Sequence, residues 1–79
     1  MRIRTSEQLG AVIRGRRREL GLTQKELAMA CGTGLRFIVD LEQGKATCRV
    51  GKALDVLHAL GLMVMTVPLG SGTGDGSEP

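Results

Sequence analysis

Long polar side chains recur through the middle of this 79-residue chain, and they are the residues that could do chemistry. Gln24 and Arg36 carry amide and guanidinium donors, which bind phosphate oxygens and the edges of nucleic-acid bases. Catalysis has no comparable basis, because His58 is the sole histidine and stands in no serine or cysteine pattern typical of a nucleophile. Cys31, Cys48 and His58 also lack the spacing of metal ligands. The sequence therefore predicts a binding protein with no enzyme activity, no cofactor and no metal.

The charge of the chain favours an anionic partner. Eleven lysines and arginines against eight acidic residues give a formal net charge of +3, a balance that suits polyanion binding. The densest basic run is residues 14–18, which holds four arginines. Within it Arg16 or Arg17 is the better candidate for a phosphate contact, with the choice between them open.

Export and membrane insertion are not predicted. No stretch approaches the roughly 18 apolar residues that a membrane helix needs, and the N-terminus lacks the apolar core of a signal peptide. We therefore expect a cytoplasmic protein in which Cys31 and Cys48 are reduced thiols rather than a disulfide.

Two capped helices separated by a glycine turn are predicted in the middle of the chain. Thr23 and Glu26 form the S/T-x-x-E capping box that opens a helix, and Gly32 can adopt the left-handed conformation that ends it. A second helix follows and is expected to end before Gly44, the next glycine that could terminate a helix. Two helices joined by such a short turn form a helix-turn-helix, whose second helix enters the DNA major groove. The predicted bounds are 24–31 and 35–43.

Two further helices are predicted on either side of this motif. Thr5 with Gln8 opens the first helix, which ends at Gly21. Thr47 is expected to cap the fourth helix, which Gly61 closes. Their apolar stripes predict an aliphatic core from Leu9, Val12, Ile13 and Leu20 in the first helix and Val50, Ala53, Leu54, Leu57 and Leu60 in the fourth.

The central block closely resembles the helix-turn-helix of Cro/C1-type repressors, the xenobiotic-response-element (XRE) family. In that family T-Q-x-E-L-A, then G, I, L-E and G-K stand at the same intervals. The resemblance implies an all-α, lambda-repressor-like bundle of four helices that binds double-stranded DNA. The matching residues are Thr23, Gln24, Glu26, Leu27, Ala28, Gly32, Ile38, Leu41, Glu42, Gly44 and Lys45.

Residues 62–67 predict a short β-strand, since they are rich in β-branched residues and Pro68 stops them. A lone strand leaves its backbone groups unpaired, so we expect pairing with the same strand of a second copy across a two-fold axis. A frayed apolar tail or a terminal helix turn is the alternative. The expected dimerisation residues are Leu62, Met63, Val64, Met65, Thr66 and Val67. Residues 1–67 are thus predicted to be one domain and 68–79 a disordered tail, either a partner-binding segment or an expression scar.

The whole of residues 5–67 resembles the HipB family of antitoxins, in its N-terminal helix, its helix-turn-helix, its G-K-A-L-x-V-L-x-A-L-G-L helix and its terminal strand. This resemblance implies a homodimer that represses its own operon from a palindromic operator and also binds a HipA-like kinase toxin. Two alternatives stay open: a stand-alone repressor of the phage or restriction-modification type, and a protein-interaction module that has lost DNA binding.

Contacts to the phosphate backbone are expected at the ends of the two central helices. Gln24 and Lys25 open the second helix, where amide, ammonium and helix dipole all attract an anion. By resemblance to the XRE family, Gln24 also touches the recognition helix. Lys45 follows the third helix, where it is placed to contact a phosphate on the side opposite to Gln24 and Lys25.

Contacts to bases are expected from the outer face of the third helix, because Ile38 and Leu41 point inward. Thr33 lies in the turn before that helix. The groove-facing residues are Gly34, Leu35, Arg36, Val39, Asp40 and Gln43.

Among these residues Arg36 has the one long donor side chain that could form hydrogen bonds with guanine O6 and N7 together. Leu35 or Val39 could pack on thymine methyl groups. Asp40 either accepts from cytosine N4, or positions Arg36 four residues earlier through a salt bridge, or is a solvated charge. Because direct base contacts are few, specificity is expected to rest partly on DNA shape and half-site spacing.

Overall fold

Side-chain hydrogen bonds fix the starts of the first two helices in a computed structural model that describes residues 2–69. The Thr5 hydroxyl accepts from the backbone N–H of Gln8 at 3.1 Å. The Thr23 hydroxyl accepts from the N–H of Glu26 at 3.0 Å, and the Glu26 carboxylate accepts from the N–H of Thr23 at 2.8 Å. The predicted capping box is therefore confirmed, as is the cap at Thr5.

Four α-helices are present in the described chain, in the predicted order. Glycines with positive φ follow each of them, at Gly21, Gly32, Gly44 and Gly61, which is how a chain leaves a helix without steric strain. The all-α expectation is confirmed, and the first three helices end within two residues of their predicted bounds. The helices are α1 (Ser6–Glu19), α2 (Gln24–Cys31), α3 (Leu35–Glu42) and α4 (Val50–Ala59).

An aliphatic core joins the four helices. Ile13 of α1, Leu27 of α2, Ile38 of α3 and Val56 of α4 are almost completely buried together with Leu60. Burying a side chain of this size contributes about 1.5–3 kcal/mol relative to leaving it in water. The core therefore holds α2 and α3 in a fixed relation to each other, with α1 against α3 and α4 against α2.

The start of α4 differs from the prediction. The proposed cap, Thr47, lies in a turn, and the helix begins at Val50 after Arg49, whose side chain makes no capping hydrogen bond. Val50 is 72% exposed, because it stands in the first turn of the helix beyond the edge of the core. Leu54, which the predicted stripe included, is also exposed, whereas Val56, which the stripe did not include, is buried.

After α4 the chain turns back onto the core and then leaves it. The N–H of Leu62 donates to the carbonyl of Leu57 at 2.9 Å, and the Leu62 side chain packs against the core. Residues 63–69 are exposed, and no strand is present within residues 2–69. The predicted strand at 62–67 thus stays a prediction about a dimer. Of the predicted tail, 68–79, the part from Gly70 onward lies outside the described residues. None of the helices described is both long and apolar enough to cross a lipid bilayer.

Two glycines let α1 lie directly on the end of α3. A Cβ at Gly10 would stand 2.5 Å from the carbonyl oxygen of Glu42, and one at Gly44 would stand 2.6 Å from Cα of Glu7. Between them the Ser6 hydroxyl donates to the carbonyl of Gly44 at 2.6 Å. The backbone at the end of α3 is therefore held by close contact with α1.

This close approach makes a testable contrast between two glycines of α1. Gly10→Ala is expected to lower the free energy of unfolding by about 1–3 kcal/mol, since the added methyl group must push two backbones apart. Gly15→Ala meets nothing within 4 Å and should raise that free energy by about 0.5–1 kcal/mol, because alanine loses less entropy in a helix. Urea denaturation of both variants measures the difference, and two changes of equal sign and size would refute the close packing.

Candidate nucleic-acid interface

The turn between α2 and α3 is fixed by backbone hydrogen bonds. Gly32 takes φ 67°, and the N–H of Thr33 donates to the carbonyl of Ala28 at 3.0 Å. Gly34 then precedes α3 without a side-chain cap. The Thr33 hydroxyl is buried and has no hydrogen-bond partner among the described residues. The turn thus sets the direction of α3 through the main chain alone.

A buried ion pair fastens α1 to the end of α3. Arg17 and Glu42 are 8% and 9% exposed, and the guanidinium donates to both carboxylate oxygens, at 2.6 and 3.1 Å. Arg17 also donates to the carbonyl of Leu22 at 2.7 Å. The Gln24 amide donates to the same carboxylate at 3.1 Å. One carboxylate therefore joins α1, the start of α2 and the end of α3.

The pKa of Arg17 reflects this arrangement. Its hydrogen bond with Glu42 raises the pKa above the ordinary arginine value, and the nearby negative charge adds to that, whereas burial acts in the opposite direction. The guanidinium is therefore charged at neutral pH. A buried charge pair of this kind depends on both partners being present.

The two arginines predicted to contact phosphate are both engaged within the chain. Arg17 is buried against Glu42, which corrects the expectation that it is exposed to a phosphate. Arg16 donates from Nε to the carbonyl of Leu60 at 2.9 Å, which caps the end of α4, and from Nη1 to Glu19 at 3.2 Å. Sequence spacing did not reveal the partners Leu60 and Glu42, since they are 44 and 25 residues away along the chain.

The exposed arginines of this run are its first and last members. Arg14 and Arg18 are exposed and line an open cleft of about 430 Å³ together with Thr23, Gln24 and Gln43. They stand four residues apart, hence on one side of α1, and that spacing was the signal available in the sequence. The cleft places two further positive charges beside the predicted phosphate contact Gln24.

The outer face of α3 is exposed in the pattern that the sequence predicted. Ile38 and Leu41 are buried, whereas Arg36 is exposed, with 85% of its side chain accessible. Gly34, Leu35 and Gln43 are also exposed, and Val39 and Asp40 are half-buried. The structure therefore brings the predicted base-contacting residues onto one surface.

Asp40 joins two basic residues on this surface. Its Oδ1 lies 3.3 Å from Nε of Arg36, and its Oδ2 lies 3.6 Å from Nζ of Lys45. Of the three roles considered for Asp40, the salt bridge to Arg36 is the one present in the free chain. The link to Lys45 was not predicted.

The two cysteines lie outside this surface. Both are free thiols, partly buried against the core. Burial raises the pKa of the Cys31 thiol, and the charge of Asp55 raises it further. No group of three residues able to hold a metal ion occurs in the part of the chain that the structure describes.

The model of the family described as "Helix-turn-helix domain" matches residues 8–67, about three quarters of the chain. The chain belongs to this helix-turn-helix family. The helix-turn-helix protein is also 52% identical over 63 residues to "Uncharacterized HTH-type transcriptional regulator y4mF" of Sinorhizobium fredii (strain NBRC 101917 / NGR234). That alignment covers 80% of this chain and 83% of the relative. The family is thus one of helix-turn-helix transcriptional regulators.

Solved structures extend the likeness to HipB. The helix-turn-helix protein superposes with a TM-score of 0.80 on a chain of "Structure of HipA-HipB-O2-O3 complex" and with the same score on a chain of "HipB-O4 20mer complex". In both cases 23% of the residues are identical, and the match covers 87% of this chain and 97% of the other. The predicted resemblance to XRE-type, HipB-like proteins is therefore confirmed, and at this identity the structural match concerns the fold.

Proposed function

We propose that this chain is a cytoplasmic, homodimeric, sequence-specific DNA-binding repressor that acts as the antitoxin of a HipA-type kinase toxin and represses its own operon. DNA binding rests on one observation above all: α3 presents an exposed outer face that carries Arg36, next to other exposed basic residues. That face offers Arg36 as its longest donor. Arg14, Arg18, Lys25 and Lys45 supply exposed positive charge around it.

The chemistry of binding follows from this distribution of charge. Phosphate contacts from basic side chains release counterions and supply affinity that does not depend on sequence. Gln24 stands at the start of α2, where free backbone N–H groups and the helix dipole attract an anion. Its amide is oriented by the buried Glu42 carboxylate, so it meets a phosphate in a fixed position. Base contacts from α3 then select the sequence.

A second copy completes the repressor. Two recognition helices about 34 Å apart read the halves of a palindromic operator, and a dimer bound over a promoter excludes polymerase without any chemical reaction. Exposed large apolar residues are concentrated near the C-terminal end of the described chain, including Met63, Met65 and Val67. Apolar residues at this density suit a contact with another protein surface, and strand pairing through 62–67 is the proposed contact.

The antitoxin role is supported by the fold match to HipB chains, one of them from a complex that contains HipA. A stand-alone repressor would share the DNA-binding surface, and the two functions differ in whether a protein partner is present.

Salt dependence is the first test of DNA binding. With about six phosphates contacted, the slope of log affinity against log salt concentration is expected near −5 for the promoter duplex of the protein's own operon. Arg18→Gln and Lys25→Gln should each reduce the magnitude of the slope by about 2, because each substitution removes one phosphate contact from both subunits of the dimer. Lys52→Gln is the matched control, since Lys52 lies on α4 over the Phe37 ring and outside the proposed surface. A slope near zero for the unaltered protein would eliminate DNA binding.

Recovery of partners from the native host separates the antitoxin from its alternatives. The protein serves as bait, and both the co-purified proteins and the co-purified DNA are sequenced. A kinase-like protein together with promoter DNA of the same operon supports the proposal. DNA alone indicates a stand-alone repressor, and a protein alone indicates an interaction module that has lost DNA binding.

A further inference from the structure

Asp40 occupies a position on α3 that is unfavourable for a carboxylate. It lies in the last turn of the helix, where the helix dipole disfavours negative charge. It also lies on the face proposed to meet DNA, which is a polyanion. Its side chain is 17% exposed and bridges Arg36 and Lys45.

Stability of the free protein does not account for this arrangement. The Arg36 side chain is 85% exposed, and exposed ion pairs contribute little because water and salt screen them. The order of the charges also gives the weaker kind of helical ion pair, because the basic residue stands four positions before the acidic one and not after it. The pair is therefore better explained by what it does to the geometry of Arg36.

The contact between Asp40 and Arg36 involves the guanidinium. Oδ1 lies 3.3 Å from Nε, and the terminal nitrogens Nη1 and Nη2 stand at the end of a side chain that is 85% exposed, where they can donate to a base. The planar guanidinium presents these two nitrogens as parallel donors. A long side chain that would otherwise be mobile is thus restricted before it meets a ligand.

We propose that the Arg36–Asp40 pair reads a guanine in each half of the operator, with Arg36 as the base-contacting residue and Asp40 as the residue that positions it. The inference rests on the proposed DNA-binding function and names the base it selects. Guanine presents two acceptors, O6 and N7, on its major-groove edge, which match two parallel donors. Adenine presents one acceptor and one donor, so one of the two arginine nitrogens would face another donor.

Asp40 also adds a penalty against other sequences. Where no guanine engages Arg36, the carboxylate remains close to phosphates without a compensating contact. Removing it should therefore strengthen binding to unrelated DNA while it weakens selection of guanine. Lys45, 3.6 Å from the carboxylate, partly offsets this charge in the free protein.

The test is selection from a pool of duplexes with about 20 randomised base pairs, long enough for two half-sites one helical turn apart. The unaltered chain is expected to enrich a palindrome with one guanine per half-site that Arg36→Ala no longer selects. Loss of that contact should reduce discrimination against adenine at this position by about 5- to 100-fold. Arg36→Lys keeps the charge without the fork, so it should weaken the same preference while it keeps the salt dependence of binding.

Asp40→Ala and Asp40→Asn test the positioning role in the same assay. Both should reduce discrimination at that one guanine by about 3-fold or more and should raise affinity for a scrambled duplex. Thermal unfolding of every variant serves as the control for folding. The midpoints should change by only a few degrees, because the Arg36 side chain is 85% exposed and an ion pair to an exposed partner contributes little to stability.

The outcomes separate this inference from the proposed function. If the unaltered chain enriches no sequence, DNA recognition itself fails and the guanine assignment with it. If it enriches a palindrome and Arg36→Ala keeps the same base preferences, the guanine assignment is overturned, whereas the proposed repressor function is still supported. If Arg36→Ala loses the guanine and both Asp40 variants keep full discrimination, the positioning role of Asp40 is overturned.

Discussion

Glu42→Ala is expected to lower the free energy of unfolding by about 3–5 kcal/mol, the typical effect of removing one partner of a buried ion pair. The substitution leaves the Arg17 guanidinium buried without its carboxylate, and that residue is 8% exposed. It also removes the acceptor of the Gln24 amide. Three helices lose a common contact, which is why the effect should exceed that of an ordinary surface change. Urea denaturation followed by circular dichroism measures it.

Two further variants identify the cause of that loss. Arg17→Met combined with Glu42→Leu removes both charges and refills the space, so its stability should return close to that of the unaltered protein. Glu19→Ala breaks a pair with Arg16 in which Glu19 is 70% exposed, and it should cost less than about 1 kcal/mol. A Glu42→Ala variant no less stable than Glu19→Ala would show that the buried pair contributes nothing to the fold.

The same carboxylate connects stability with DNA binding. Gln24 begins α2 and is the proposed phosphate contact, and Glu42 is the group that orients its amide. Glu42→Gln keeps the size of the side chain and removes the charge. It is therefore expected to retain part of the hydrogen bonding and to lose less stability than Glu42→Ala.

The helices were predictable because their signals are local. Thr23 and Glu26 form their cap within four residues, and Gly32 ends α2 by its own backbone conformation. The outward direction of Arg36 also followed from sequence, since Ile38 and Leu41 fix the inner face of α3. Each of these features depends on residues that are neighbours along the chain.

The features that sequence reasoning missed depend on tertiary contacts. Arg17 looked like an exposed cation, and its partner Glu42 is 25 residues away. Thr47 resembled a helix cap, but α4 begins three residues later, at Val50. The spacing of Arg36 and Asp40 suggested a salt bridge, whereas Lys45 reaches the same carboxylate only because the chain turns at Gly44. Local sequence patterns therefore determine where the helices lie, and the packing of α1 against α3 determines which charged side chains remain at the surface.

The C-terminal segment makes the second prediction with a large effect. In the described chain Val64 and Met65 are 51% and 80% exposed and belong to neither helix nor strand. If residues 62–67 pair with a second copy, their backbone N–H groups supply the ladder of hydrogen bonds that holds the dimer. Successive N–H groups along a strand point to opposite edges, so either Val64 or Met65 donates to the partner strand.

Proline at the donating position is expected to convert the dimer to monomers, because it removes the N–H from that ladder. We expect Val64→Pro to sediment as a monomer and to lose operator affinity by about 100-fold or more, since each monomer then holds a single half-site. Val64→Thr keeps the donor and a β-branched side chain, so it should remain dimeric. Met65→Pro covers the opposite edge of the strand. A stable dimer in both proline variants would contradict the intermolecular sheet and move the contact to other exposed apolar residues such as Val50 and Leu54, whose exposure on α4 the apolar pattern did not predict.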